Sequence, residues 1–220
     1  MVVKAQTSQR PAADESIPPS VLAGRGGLVR FNVEDVQAMI QQGLVPEGTG
    51  TELLNGIIVH TDRSCVGGDP TMHSPAHRKS VRLLTALAAR IDTSARLVQI
   101  QLPIVCADNQ MPEPDFAVVL GNDDDFTTSL PSASRTVCVI EVADSSLERD
   151  RDEKGPVYAL AGIPQYIIIN LRNRTAEVYT QQGQEAGTYS HPQICQANQA
   201  LGIKVGQDET FEIPLTALLP

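Results

Sequence analysis

The chain has 220 residues, 41% apolar and 20% charged, which suits one globular domain with a single core and little more. Its net charge of −9 argues against gripping nucleic acid by bulk electrostatics, although a local basic strip stays compatible with it. No C-x-x-C pair occurs among the four cysteines and no apolar stretch approaches bilayer-spanning length, so neither a zinc knuckle nor a membrane span is expected.

In chain order, residues 1–27 are rich in Pro, Ala, Ser, Gln and Gly. They read as a flexible arm without a signal-peptide apolar region, ahead of one domain over 28–220. Asn32 is placed to cap a helix over Val33 to Gln42, with Glu34 and Asp35 in its first turn. Asn55-Gly56 between the apolar runs of Thr51 to Val59 is a strong hairpin signal. A mobile loop is expected over 61–73. Ser74-Pro75 then opens a helix on which His77, Val81, Leu84, Ala88 and Ile91 share one face. Arg78, Lys79, Arg82 and Arg90 fall mostly off that face.

Strands are predicted at Leu97 to Val105, Phe116 to Leu120 and Thr136 to Val142, with a polar loop over 121–134. A helix fits Arg151 to Ala161, ended by Gly162. Strands at Gln165 to Asn170 and Ala176 to Thr180 follow, and the apolar tail Phe211 to Leu219 is expected to dock on the body. The order predicts an α/β fold with helices covering a mixed sheet, its strands Phe116 to Leu120 and Val137 to Val142 buried on both faces. Cys106 and Cys138 lie in apolar strand-like runs and read as reduced core thiols, which points to the cytoplasm.

Two carboxylates stand out at strand ends. Asp115 opens one buried strand and Glu141 closes the other. A carboxylate in an apolar strand is costly unless it is paired or binds a metal. Meeting at one site, the two supply hard oxygen donors suited to Mg²⁺ or Mn²⁺. Glu52 in the hairpin brings a third, and three clustered carboxylates repel without a cation. With one bound, such a site orients a phosphate and activates a water. On the following helix Lys154, Tyr158 and Ala161 share a face, which aims Lys154 at Glu141 to position water or offset charge in the transition state.

Plainer readings stand beside these. Asp150 and Lys154 are also an i,i+4 ion-pair spacing, Glu52 is compatible with an exposed hairpin position, and His77 with a core histidine. His73 and His77 have zinc-pair spacing, but the helix start falls between them. Gly24 to Gly27 is not followed by Lys-Ser/Thr, so it is no phosphate loop, and no G-x-S-x-G occurs.

Taken together, Pro114-Asp115, Glu141-Val142, Ser145-Ser146, Asp150, Lys154, Tyr158 and Gly162-Ile163-Pro164-Gln165-Tyr166 resemble the restriction-endonuclease family abundant in cyanobacteria, within the PD-(D/E)XK nuclease superfamily. Glu52-Leu53-Leu54-Asn55-Gly56 is similar to that family's Glu-Leu-Ile-Asp-Gly hairpin, with Asn55 where Asp is common, and His77 matches its helix-borne His. The resemblance covers roughly residues 30–190. It implies a restriction-endonuclease-like fold: a central mixed sheet flanked by helices. The superfamily's usual Lys, two residues after the Glu, is Ala143 here, and the resemblance implies that Lys154 takes its place.

The expectation is therefore a Mg²⁺- or Mn²⁺-dependent endonuclease acting on DNA. Asp115, Glu141 and Glu52 would serve the metal and Lys154 the water, with His77, Asp150 and Tyr158 in support. A homodimer is expected, because two sites related by a two-fold axis cut two strands most simply. The acidic charge and Ala143 motivate the alternative, a catalytically inactive binding or regulatory module of the same fold.

Overall fold

The computed structural model describes residues 29–45, 50–60, 74–181 and 187–220; the expected arm over 1–27 and loop over 61–73 lie outside them. Helix α1 (Val33–Gln41) begins with a reciprocal capping box between Asn32 and Asp35. Strands β1 (Thr51–Leu54) and β2 (Ile57–His60) form the expected hairpin. Asn55 and Gly56 take φ values of 51° and 76°, the left-handed pair that a two-residue hairpin turn requires. A side chain at Gly56 would sit 2.6 Å from Arg30 Cβ, so close approach as well as φ calls for glycine.

Helix α2 (Pro75–Ile91) starts where Ser74 Oγ accepts the N–H of His77, with proline in the first turn. Its buried Val81, Leu84, Leu87 and Ile91 pack on one face of a six-stranded sheet. That sheet runs β3 (Arg96–Gln99), β4 (Phe116–Leu120), β5 (Thr136–Ala143), β6 (Gln165–Asn170), β7 (Thr175–Thr180) and β8 (Gln193–Gln196), adjacent in that order. Only β5 and β6 pair in parallel, so the sheet is mixed as expected.

The β5–β6 crossover carries α3 (Leu147–Arg149), a π-helical turn (Asp150–Lys154) and α4 (Gly155–Leu160). Tyr158 and Ile163 from this segment pack on the opposite face of the sheet, with Val139, Ala143, Tyr166 and Ile168. The helical segment thus begins earlier than the predicted Arg151. Its π turn has a local cause: Pro156 has no N–H to donate backwards and its ring clashes with the preceding turn, while the Gly155 N–H reaches Asp150 O. Gly162 ends the segment at φ 79°.

Two further differences are physical. The predicted strand Leu97 to Val105 stops at Gln99, because Gln101 turns left-handed at φ 49° and binds Asp115, and Pro103 lacks a ladder donor. Beyond β7 the chain forms β8 and the hairpin β9 (Ala200–Lys204) with β10 (Thr210–Pro214). These strands are too short and too interrupted by glycine and polar residues for a clear period-2 signal. The tail docks as expected: Leu218 and Leu219 are buried, and Ser80 Oγ donates to Leu218 O at 2.6 Å.

Candidate active site

Strand register brings the two strand-end carboxylates together. In the antiparallel β4–β5 pair Phe116 faces Ile140, so one further step sets Asp115 across from Glu141. Side chains alternate along a strand. Asp115 therefore shares the face of Ala117 and Val119, and Glu141 that of Val139 and Ala143, which is one and the same face. The β5–β6 crossover covers that face, which is why Lys154 and Tyr158 descend onto Glu141.

Asp115 is held from three sides. Its Oδ2 accepts the Val142 N–H at 2.9 Å and lies 3.1 Å from His77 Nε2; its Oδ1 accepts from Gln101 Nε2 at 3.2 Å. An ionised carboxylate only accepts, so Nε2 of His77 carries the proton in this contact. Burial alone would raise the Asp115 pKa, but the His77 contact and the Val142 N–H outweigh it and hold the group below its ordinary range. Gln101 keeps its left-handed backbone, at a cost of about 1 kcal/mol or more, where it braces this carboxylate.

Lys154 sits between two carboxylates. Its Nζ is 2.7 Å from Glu52 Oε1 and 2.9 Å from Glu141 Oε1, with the side chain buried. Tyr158 OH donates to the same Glu141 Oε1 at 2.8 Å. Burial opposes the ammonium charge, but Glu141 and Glu52 more than offset it and keep the pKa above the usual lysine range. Glu52, fully buried, also accepts from Arg149 Nη2 at 2.6 Å and from the Glu113 N–H at 3.1 Å. Burial pushes Glu52 upward, yet Lys154 first and Arg149 next bring it below the carboxylate norm.

A cavity of about 240 Å³ opens onto this arrangement, lined by Asp115, Glu141, Asp150, Glu113, Lys154, Arg149 and His77 among others. Glu52 is not in its lining; it stands behind Lys154 and Arg149 as their common anchor. Asp150 is buried and accepts from Ser146 Oγ at 2.6 Å rather than pairing with Lys154. Its pKa is raised because burial outweighs that bond and the nearby ammonium. Glu113 is pushed up to about 6, by burial and then by the charge of Glu52.

Glu141 is pushed furthest of these carboxyls, to about 8, because burial together with Asp115, Asp150 and Glu52 outweighs Lys154. The folded state thus holds a proton that the unfolded chain has released, and stability from this group falls as pH rises from about 4.5 to 8. Glu141→Gln removes the titration while leaving an oxygen to accept from Lys154 and Tyr158. Without added metal, the variant should melt higher than the parent at pH 8 and match it near pH 5, as read by thermal denaturation. Equal pH dependence of the two proteins would refute the assignment.

The donor set bears on a metal. Among the described residues, no group of three or more His, Cys, Asp or Glu converges as a ready-made cage. Mg²⁺ asks for less: it keeps several waters and needs one or two carboxylates plus substrate phosphate oxygens. Asp115 and Glu141 offer two on one cavity wall, and Glu141 Oε2 accepts no hydrogen bond among the described residues. Counting Glu52 behind the wall, six carboxyls gather around the two permanent cations Arg149 and Lys154, a crowding that a divalent ion would relieve by letting the raised carboxyls ionise. The chemistry of the residues fits Mg²⁺ or Mn²⁺.

Asp115, Glu141, Lys154, His77 and Asp150 thus line one cavity with Glu52 and Tyr158 directly behind it, while His73 lies outside the described residues. Arg149 and Gln101 were not foreseen. At about 100° per residue Arg149 and Lys154 fall roughly 140° apart on a regular helix. The π turn between them, with its wider hydrogen-bonded loop, lets both reach Glu52. The interior Gly155-Pro156 was the one available clue.

The fold has known counterparts. A crystal structure of a "putative nuclease belonging to DUF820" from Anabaena variabilis ATCC 29413 superposes with a TM-score of 0.59 at 12% identity, covering 86% of this chain and 97% of that one. The fold is therefore of this nuclease-like class, a central mixed sheet with flanking helices. Residues 36–215 match the model of the Uma2 family, described as "Putative restriction endonuclease", and the chain belongs to that family. None of the curated proteins matches it.

Proposed function

We propose that the chain is a divalent-metal-dependent endonuclease that hydrolyses phosphodiester bonds in DNA. The observation that carries this reading is the meeting of Asp115 and Glu141 on one cavity wall with the Lys154 ammonium held between Glu141 and Glu52. Asp115 and Glu141 would hold Mg²⁺ or Mn²⁺, water and phosphate oxygens completing the shell. Such an ion supplies Lewis-acid polarisation of the phosphate and a more acidic bound water.

The protein groups do the positioning. Two N–H bonds of Lys154 are spent on Glu52 and Glu141, and the third is left for the attacking water or a phosphoryl oxygen. Its fixed charge offsets the negative charge that grows on phosphorus. Glu52 holds Lys154 and Arg149 in place, and Arg149 presents its unused N–H groups at the cavity wall as a phosphate fork. Tyr158 orients Glu141, His77 orients Asp115, and Asp150 adds to the negative field. The lysine displaced onto the crossover segment answers the Ala143 position, which favours the active over the inactive reading.

The reading includes a homodimer, for two-strand cutting, and a reducing cytoplasmic setting. The latter is supported by the free thiols of Cys106, Cys138 and Cys195, the first pushed up to about 12 by burial. Among the described residues no helix is long and apolar enough to cross a membrane.

Supercoiled plasmid incubated with pure protein should be nicked in Mg²⁺ or Mn²⁺ and left intact in EDTA. Size-exclusion chromatography with light scattering checks for the dimer mass. No nicking in either metal, with no metal-linked rise in melting temperature, would overturn the nuclease reading.

A further inference from the structure

Helix α2 carries Arg78, Lys79, Arg82 and Arg90 and not one acidic residue, in a chain whose net charge is −9. Arg90 stacks over Phe211, and the described arginines outside this helix and Lys204 each bond or pair with a carboxylate or a backbone carbonyl. Arg78, Lys79 and Arg82 are exposed and form no ion pair, side-chain hydrogen bond or ring contact among the described residues.

Arg78 and Arg82 lie one helical turn apart on the same side, about 6 Å along the axis. With His77, Val81 and Gln101 they line a groove of about 490 Å³. His77 and Gln101 also line the catalytic cavity, where both hold Asp115. The groove thus adjoins the cavity, and the charge of its arginines is opposite to that of the cavity's carboxylates. Planar guanidinium forks left unpaired at the mouth of a phosphodiester site are matched to phosphate oxygens.

We propose that this groove takes the sugar-phosphate backbone of the substrate strand next to the scissile phosphate, with Arg78 and Arg82 contacting about two successive phosphates at roughly 3.4 Å of rise each. Backbone contacts of this kind give register and affinity without reading sequence. They also let a chain of strongly negative net charge engage DNA, because attraction is confined to one strip. The inference rests on the nuclease reading and extends it to where the strand leaves the cavity.

The test uses the full chain, two substrates and three variants. A DNA duplex of about 20 base pairs spans cavity and groove, whereas bis(p-nitrophenyl) phosphate is a phosphodiester too small to reach the arginines. Arg78→Ala/Arg82→Ala should raise KM for the duplex by about tenfold and reduce the slope of log(kcat/KM) against log salt by about 1.8, at roughly 0.9 per phosphate. Hydrolysis of the small diester should stay within about twofold, and Lys79→Ala, outside the groove lining, should change the slope by less than either arginine. Arg78→Lys/Arg82→Lys should restore much of the salt slope, showing that charge rather than local folding was lost. An unchanged duplex KM and slope, an equal loss on both substrates, or a Lys79→Ala effect matching an arginine's would each overturn the groove. A parent protein that cleaves neither substrate overturns the nuclease reading and the groove with it, whereas one that cleaves both while the double variant behaves like the parent overturns the groove alone.

Discussion

Lys154→Met should lower plasmid cleavage by about 10²–10³-fold and cost the fold roughly 3–5 kcal/mol. Both effects come from one position. The ammonium is shared by two buried carboxylates, so removing it leaves Glu52, fully buried, and Glu141 facing each other without a cation between them. Breaking a buried pair from one side is expensive because the remaining charge stays desolvated. Glu52 keeps Arg149 and the Glu113 N–H, which limits the damage, and Glu141 relieves the rest by holding its proton to higher pH than in the parent.

A second variant separates structure from chemistry. Glu52→Gln combined with Lys154→Met removes the stranded charge and should recover part of the lost stability, measured by urea denaturation, while cleavage stays absent. If Lys154→Met cleaved within a few-fold of the parent, the ammonium would have no place in the reaction.

Asp115→Asn should leave the metal-free fold nearly as stable as the parent and remove about three orders of magnitude in rate, the counterpart of roughly 4 kcal/mol of lost charge stabilisation. The amide oxygen can still accept the Val142 N–H and the His77 N–H, and the new amide NH2 is met where Gln101 turns its own side-chain oxygen towards it in place of Nε2, so the local geometry survives. The anionic donor does not. A saturating divalent ion, at about a hundred times its Kd, stabilises a protein by roughly 2.7 kcal/mol, or about 5–10 °C at this chain size. The parent should show that rise in Mn²⁺, read by differential scanning calorimetry, and the variant should lose most of it. An undiminished metal-linked rise would remove Asp115 from the metal shell.

The parts of the molecule legible in the sequence were those written in local chemistry. Asn55-Gly56 demanded a hairpin, Ser74-Pro75 a helix start, and the aliphatic runs around Asp115 and Glu141 buried strands. A carboxylate at the end of such a run is too costly to desolvate without a cation or a hydrogen-bonding partner, so both residues stood out as site candidates from sequence alone. Lys154 followed from the face it shares with Tyr158, and family resemblance agreed with that face. The short strands after β7 carried too little periodic signal to separate from loop.

Local pattern and turn chemistry were enough to specify a mixed α/β chain and to single out Asp115, Glu141, Glu52 and Lys154 as candidate site residues, because each signal spans only a few neighbours. The tertiary structure alone decided how those groups divide. It set Asp115 and Glu141 on the cavity wall and Glu52 behind it as an anchor, and it brought in Arg149 and Gln101. The physical reason is that these assignments depend on strand register across β4–β5, on the π turn forced beside Pro156, and on a left-handed residue braced by a carboxylate. Each is settled by contacts between segments far apart in the chain, and no stretch of sequence encodes such a contact by itself.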